Sequence, residues 1–292
     1  RMWSPPWLIE RLEWLADQSG VSITLRGGPA ADLGAQVRQQ ELQRRYLQLL
    51  NEGRFRRTTV PVPTAGWAAL RYGQPDLDRL WEEVLIACRA DASVAEWDER
   101  MDALERRALA LTAETFDAVR FRGPGTDLTV GLIPEAHWLS IQSRTATGQR
   151  YAENLPTEEV MTAPHRLRVS GTVVATRPTI VYGHVVENLE LRFDAGRVTD
   201  VAATRGGNVL SNLFASDERA RFLGEVALVD GNSPAAQLDG VFYNLLIDEN
   251  AVSHIALGAA YAATMPDVRE QTAAYRRAVG LNDASVHVDI PI

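Results

Sequence analysis

The sequence predicts an α/β N-terminal domain over residues 1–120 and a strand-rich α+β C-terminal domain over residues 121–292. Three observations predict it. Helical apolar spacing alternates with short β-like runs up to about residue 120, and from Phe121 onward strand-like runs recur at short intervals. A length of 292 residues, 46% of them apolar, is that of one to two globular domains.

In chain order, Ser4-Pro5-Pro6 supplies an N-cap and early-turn prolines for a helix running through WLIERLEWLA. Gly20 ends it, and VSITL follows with Val21, Ile23 and Leu25 on one face. A second helix is expected over Gln36 to Asn51, then an edge strand in TTVPVPT, whose prolines cannot donate to a ladder. Two further helices are expected over Asp76 to Ala90 and Val94 to Asp117, the latter with Leu104, Ala108 and Leu111 at helical spacing. The β-like runs beyond are DLTVGLI, HRLRVSGTVVAT, TIVYGHVV, LELRF, RVTDVAAT, GEVALVD and SVHVDI, with Asp194-Ala195-Gly196-Arg197 as a hairpin turn. One helix is expected to interrupt them, from about Asn250 through Ala263.

Composition excludes several functions. All 30 basic residues are arginine, so Schiff-base lysines, pyridoxal-phosphate attachment and a Walker-A lysine have no place in these residues. A net charge of −8 and the absence of a basic, aromatic-interleaved cluster argue against nucleic acid as a partner. The arginines at 54, 56 and 57 are expected in a solvated turn. No run reaches the roughly 18 apolar residues of a membrane helix. The single cysteine, Cys88, falls on an apolar helical face, as a buried thiol in a reducing cytoplasm would.

The remaining polar residues that could carry chemistry are imidazoles and carboxylates. His137, His165 and His184 lack an acidic partner at ligand-like spacing and are expected to be structural. In VHVD, His287 and Asp289 stand two apart on a strand and project together, which suits a divalent ion or a surface pair. On the expected 250–263 helix, His254 and Tyr261 share a face, with Gly258 leaving space between them and Glu249 just ahead. A buried polar His–Tyr pair is the competing reading. Glu225 interrupts the apolar run FLGEVALV, and must be paired or metal-bound if that strand is buried, or solvated if it is an edge. Glu158-Glu159 precedes Val160-Met161, and adjacent glutamates on an extended segment point to opposite sides. Mixed oxygen and nitrogen donors suit Zn, Co or Mn.

The motifs NLPTEEVMTAP, LGEVALVD, DENAVSHIALGAAY and HVD, in that order, resemble the peptidase family M29 metalloaminopeptidases. The stretches FRGPGTDLTVGL and PTAGWA share the likeness, which runs from about Thr58 to Asp289. Met161 and Ser253 depart from the family pattern, where phenylalanine and a small residue or cysteine are usual. The resemblance implies metal ligands at Glu159, Glu225, Glu249, His254, His287 and Asp289, and an active-site tyrosine at Tyr261. It implies two divalent ions, a cytoplasmic homodimer enclosing its active sites, and family residues before Arg1 and beyond Ile292. The expected reaction is removal of the N-terminal residue from peptides by a water that two ions activate. Tyr261 would serve the oxyanion, and Glu158 is the candidate general base with Glu159 as its alternative. Another amide hydrolase such as a dipeptidase, and a non-catalytic dimeric relative, are the rival readings. Some other two-metal aminopeptidases use a lysine, and none is available here.

Overall fold

The computed structural model describes residues 6–28, 49, 53–266 and 272–292. A helix over Pro6–Asp17 leads into β1 (Val21–Arg26), which pairs in parallel with β2 (Arg56–Pro61). Val21, Ile23 and Leu25 share a face as expected, but it is an exposed one. The Gln36–Asn51 helix lies outside the described residues except for Leu49, which is helical and buried. Arg56 and Arg57 open β2 instead of occupying a turn.

Three helices follow, over Ala65–Tyr72, Leu77–Ala87 and Val94–Ala113. The first was not foreseen; Thr64 caps it by accepting from the Trp67 N–H, and Gly73 closes it at φ 74°. The Asp76 side chain caps the second, and a Ser93–Glu96 capping box opens the third.

The strand-rich part comprises β3 (Ala118–Gly123), β4 (Thr126–Leu132), β5 (Leu139–Ser140), β6 (Gln142–Arg144), β7 (Arg150–Ala152), β8 (Glu159–Thr162), β9 (Pro164–Val174), β10 (Thr179–Val181), β11 (His184–Val186), β12 (Glu190–Asp194), β13 (Arg197–Ala202), β14 (Leu223–Val229), β15 (His254–Gly258) and β16 (His287–Pro291). Two five-stranded antiparallel sheets result, in the orders β13-β12-β9-β4-β3 and β16-β15-β14-β8-β5, with β6-β7 and β10-β11 as separate antiparallel pairs. Ala195 and Gly196 both take positive φ, 46° and 84°, as the tight turn joining β12 to β13 demands. Apolar faces of both sheets share one core, with Val130, Val169 and Leu191 from the first and Val226, Ile255 and Ile290 from the second. Leu104 and Ala108 of the third helix enter that core, and Trp67, Leu80 and Val84 form another with Phe242 and Ile247.

The helix expected over Asn250–Ala263 is instead β15, followed by a short 3-10 turn at Ala262–Thr264. The helix of this region, Leu245–Asp248, precedes Glu249. Period alone does not separate a buried strand from a buried helix in a short apolar run. Here β14 and β16 flank HIALG and satisfy its backbone on both edges, which decides the matter.

Candidate metal centre

The second sheet presents one face to a cavity, and register puts the chemistry there. Glu225 of β14 stands opposite Ala256 of β15, which stands opposite Asp289 of β16; His287 stands opposite Gly258. Side chains two apart along a strand share a face, which adds His254 on β15 and, through the Val229–Glu159 pairing, Glu159 on β8. The alternate positions Val226, Ile255, Leu257, Val288 and Ile290 enter the core on the other face. Ala256 and Gly258 leave the space between these polar side chains unfilled.

Glu225 is the hub. His254 Nε2 lies 3.5 Å from Glu225 Oε1 and 3.2 Å from Glu159 Oε2. His287 Nε2 lies 3.2 Å from Glu225 Oε2 and 3.1 Å from Asp289 Oδ1. Two triads thus share Glu225, one with Glu159 and His254, the other with His287 and Asp289. Glu249, following the Leu245–Asp248 helix, accepts from Asn154 Nδ2 at 3.2 Å and hydrogen-bonds Asp289. His287 Nδ1 lies 2.8 Å from the Ala259 carbonyl, to which its N–H donates, and this turns Nε2 toward the carboxylates.

Electrostatics reflect crowding. Burial, together with its carboxylate neighbours, pushes Glu159 up to about 8, and burial pushes Glu249 well above the carboxylate range. Burial acts the same way on Glu225 and Asp289, but the imidazoles outweigh it and hold both below their usual values. Burial opposes charge on His254, yet Glu159 and Glu225 raise it to about 10. Against the same opposition, Asp289 and Glu225 lift His287 well above its usual value.

This donor set fits divalent metal. Glu159 Oε2 is buried with no hydrogen bond, its only close neighbour of opposite charge among the described residues being the His254 imidazole at 3.2 Å, and a cation would satisfy it more fully. Imidazole and carboxylate donors together suit Zn, Co or Mn. The cavity in front measures about 610 Å³ and is lined by all six carboxylate and imidazole residues named above and by Tyr261. Tyr261 follows β15, half-exposed, with its ring edge-on to His287 at 5.1 Å. Desolvation and the nearby Glu225 and Asp289 push its phenol well above the tyrosine range, so it remains a hydrogen-bond donor. It reaches the site from a loop, not from a face shared with His254 on a helix.

Glu158 does not belong to this group. It does not line the cavity that Glu159 enters; it immediately precedes β8 and is 1% exposed. Arg89 Nε donates to it at 2.7 Å, and Arg100 pairs with its other oxygen. Its backbone N–H donates to Asn250 Oδ1 at 2.7 Å. The carboxylate expected as the general base is thus clasped by two guanidiniums and is not among the residues lining the cavity. His137, His165 and His184 do not line the cavity. Cys88 is buried in the second core, which pushes its thiol up to about 12. Sequence reasoning missed Asn154 and Asn250, which hold Glu249 and the Glu158 backbone; an asparagine beside a glutamate carries no spacing signal by itself.

A profile of the family described as thermophilic metalloprotease (M29) matches residues 5–292. Aminopeptidase T of Thermus aquaticus is 39% identical over 301 residues, spanning 98% of this chain and 73% of the relative. Aminopeptidase AmpS of Bacillus subtilis is 35% identical over 253 residues, spanning 85% of this chain and 62% of the relative. The solved structure of wild-type AmpT from Thermus thermophilus superposes with a TM-score of 0.87 at 36% identity, covering 99% of this chain and 74% of that one.

Proposed function

The chain belongs to the thermophilic metalloprotease (M29) family and is an aminopeptidase, and we propose that two divalent ions, Zn, Co or Mn, would be held by the two residue groups that share Glu225. The observation that carries this reading is the shared carboxylate: each oxygen of Glu225 faces a different imidazole, within a cavity of peptide-accommodating size. Glu159 and His254 would hold one ion, and His287 and Asp289 the other, with Glu249 completing the shell. Bound ions would polarise the scissile carbonyl and lower the pKa of a water toward neutrality.

The chain's own groups do the rest. Tyr261, kept protonated, donates a hydrogen bond to the developing oxyanion. With Glu158 engaged by Arg89 and Arg100, proton transfer to the leaving amine falls to Glu159, through the carboxylate oxygen it does not give to the ion. The acidic floor formed by Glu159, Glu225, Glu249 and Asp289 favours a protonated or metal-held substrate amine, hence exopeptidase action. The reading includes an α/β domain over residues 1–120, a metal-binding α+β domain over 121–292, a homodimer and a cytoplasmic setting. The single buried cysteine supports a reducing compartment.

Metal analysis of the purified protein, paired with hydrolysis of an aminoacyl anilide before and after chelation, tests it. Two equivalents of metal and recovery on re-adding cobalt or zinc are expected; turnover indifferent to chelation overturns it. Tyr261→Phe should lower kcat about 100-fold with metal content unchanged. An unchanged kcat would remove the oxyanion role.

A further inference from the structure

We propose that Arg26 anchors the C-terminal carboxylate of the substrate, so that the enzyme selects short peptides with a free C-terminus. This rests on the aminopeptidase reading above and names its substrate class. Three arginines, Arg26, Arg57 and Arg144, line the same cavity as the metal-ligand set. Arg57 pairs with Glu153, and Arg144 pairs with Glu105 at 3.4 Å, so both charges are answered within the protein. Arg26 has no carboxylate partner among the described residues. The cavity is therefore acidic at the metal-ligand set and carries an unanswered guanidinium elsewhere on its wall. A short peptide has the complementary polarity, an amine at one end and a carboxylate at the other.

The backbone beneath Arg26 is fixed while its side chain is exposed. Arg26 ends β1 opposite Pro61, and its carbonyl accepts from the Val62 N–H at 2.6 Å. The chain then passes over the buried Trp67 so closely that a Cβ on Gly28 would stand 2.4 Å from the Trp67 Cβ. Glycine is required at that approach. A planar guanidinium on an anchored base can grip a carboxylate through two parallel N–H donors with little further ordering. Its exposure to water keeps the gain modest.

The test uses metal-loaded enzyme with Leu-Gly-Gly, its C-terminal amide and leucine p-nitroanilide. Wild type is expected to favour the free acid over the amide about 10-fold through KM, at similar kcat. Arg26→Gln should bring that ratio close to one, and Arg26→Lys should restore part of it. Equal KM values for acid and amide in wild type, or a ratio surviving in Arg26→Gln, overturn the proposal. If wild type cleaves the anilide and both peptides equally, this proposal alone fails. If it cleaves none of the three, the aminopeptidase reading fails first and takes this one with it.

Discussion

Glu225 serves two imidazoles at once because a strand carboxylate has two oxygens and the neighbouring strands hold one histidine on each side of it. Glu225→Gln keeps the volume but offers an N–H₂ where a cation should sit. We expect loss of bound metal and a fall in turnover of about 100-fold or more, read by metal analysis and anilide hydrolysis. Full metal content with full turnover would end the shared-carboxylate scheme. Glu158, the sequence neighbour of Glu159, makes the opposite prediction. It is buried against Arg89 and Arg100, whose side chains are 32% and 16% exposed. Removing one member of such a cluster strands the others, at a cost of about 3 kcal/mol after allowing for Arg89's access to water. Urea unfolding of Glu158→Gln should show that loss, while the acidic limb of its kcat/KM profile against pH stays in place. A general base would instead take that limb with it and cost about 10²–10⁴-fold in rate.

Sheet register sets the spacing of the metal-ligand set, and small residues keep it open. Ala256 lies in register between Glu225 and Asp289, fully buried. Valine suits a strand, so Ala256→Val should melt cooperatively while its added methyl groups fill the space an ion needs. Metal stoichiometry well below wild type in a folded variant is the expected result; wild-type stoichiometry would contradict it. Much of this geometry was legible in the sequence. His287 and Asp289 followed from a period of two, and Glu225 from its cost within an apolar run. The order of strands was not legible, because β15 is a strand by virtue of ladders to β14 and β16, some 30 residues away on either side. Acidic Asp248-Glu249-Asn250 ahead of small apolar residues has every local mark of a helix start. The element carrying His287 and Asp289 is also tied down at its entrance. Asp217 accepts from the Ser285 N–H and Oγ–H, both at 2.8 Å, and from the Arg219 N–H at 3.0 Å. Burial opposes ionisation there, but these donors outweigh it and hold the carboxyl well below its usual 3.8. A depressed folded pKa stabilises above the unfolded value and is lost as pH falls below about 4. Thermal melts of wild type and Asp217→Asn should therefore differ at pH 6, with the gap beginning to narrow as pH falls below about 4. A gap independent of pH would show that the charge is not what Ser285 needs.

Across the whole molecule, metal binding at the proposed site would be linked to folding, because the candidate ligands join four strands of one sheet to the Leu245–Asp248 helix and the Tyr261 loop. Without metal the cluster relieves its own repulsion by holding protons, with His254 raised to about 10 and Glu159 to about 8. The coupled cluster of imidazoles and carboxylates therefore holds protons in the metal-free protein, and binding a cation must expel them. A ligand that competes with protons binds more tightly as pH rises. Metal affinity should then increase steadily from pH 6 to pH 8, and titration calorimetry in buffers of different ionisation enthalpy should report proton release. Binding to the folded state alone also stabilises it, by about 4 kcal/mol at a free metal concentration a thousand times Kd. For a chain of this length that raises Tm by roughly 10 °C, and chelation should remove it. Affinity that is flat with pH, or a Tm that ignores chelation, would mean that the histidines and carboxylates satisfy one another and that the buried Glu159 oxygen has no cation to meet.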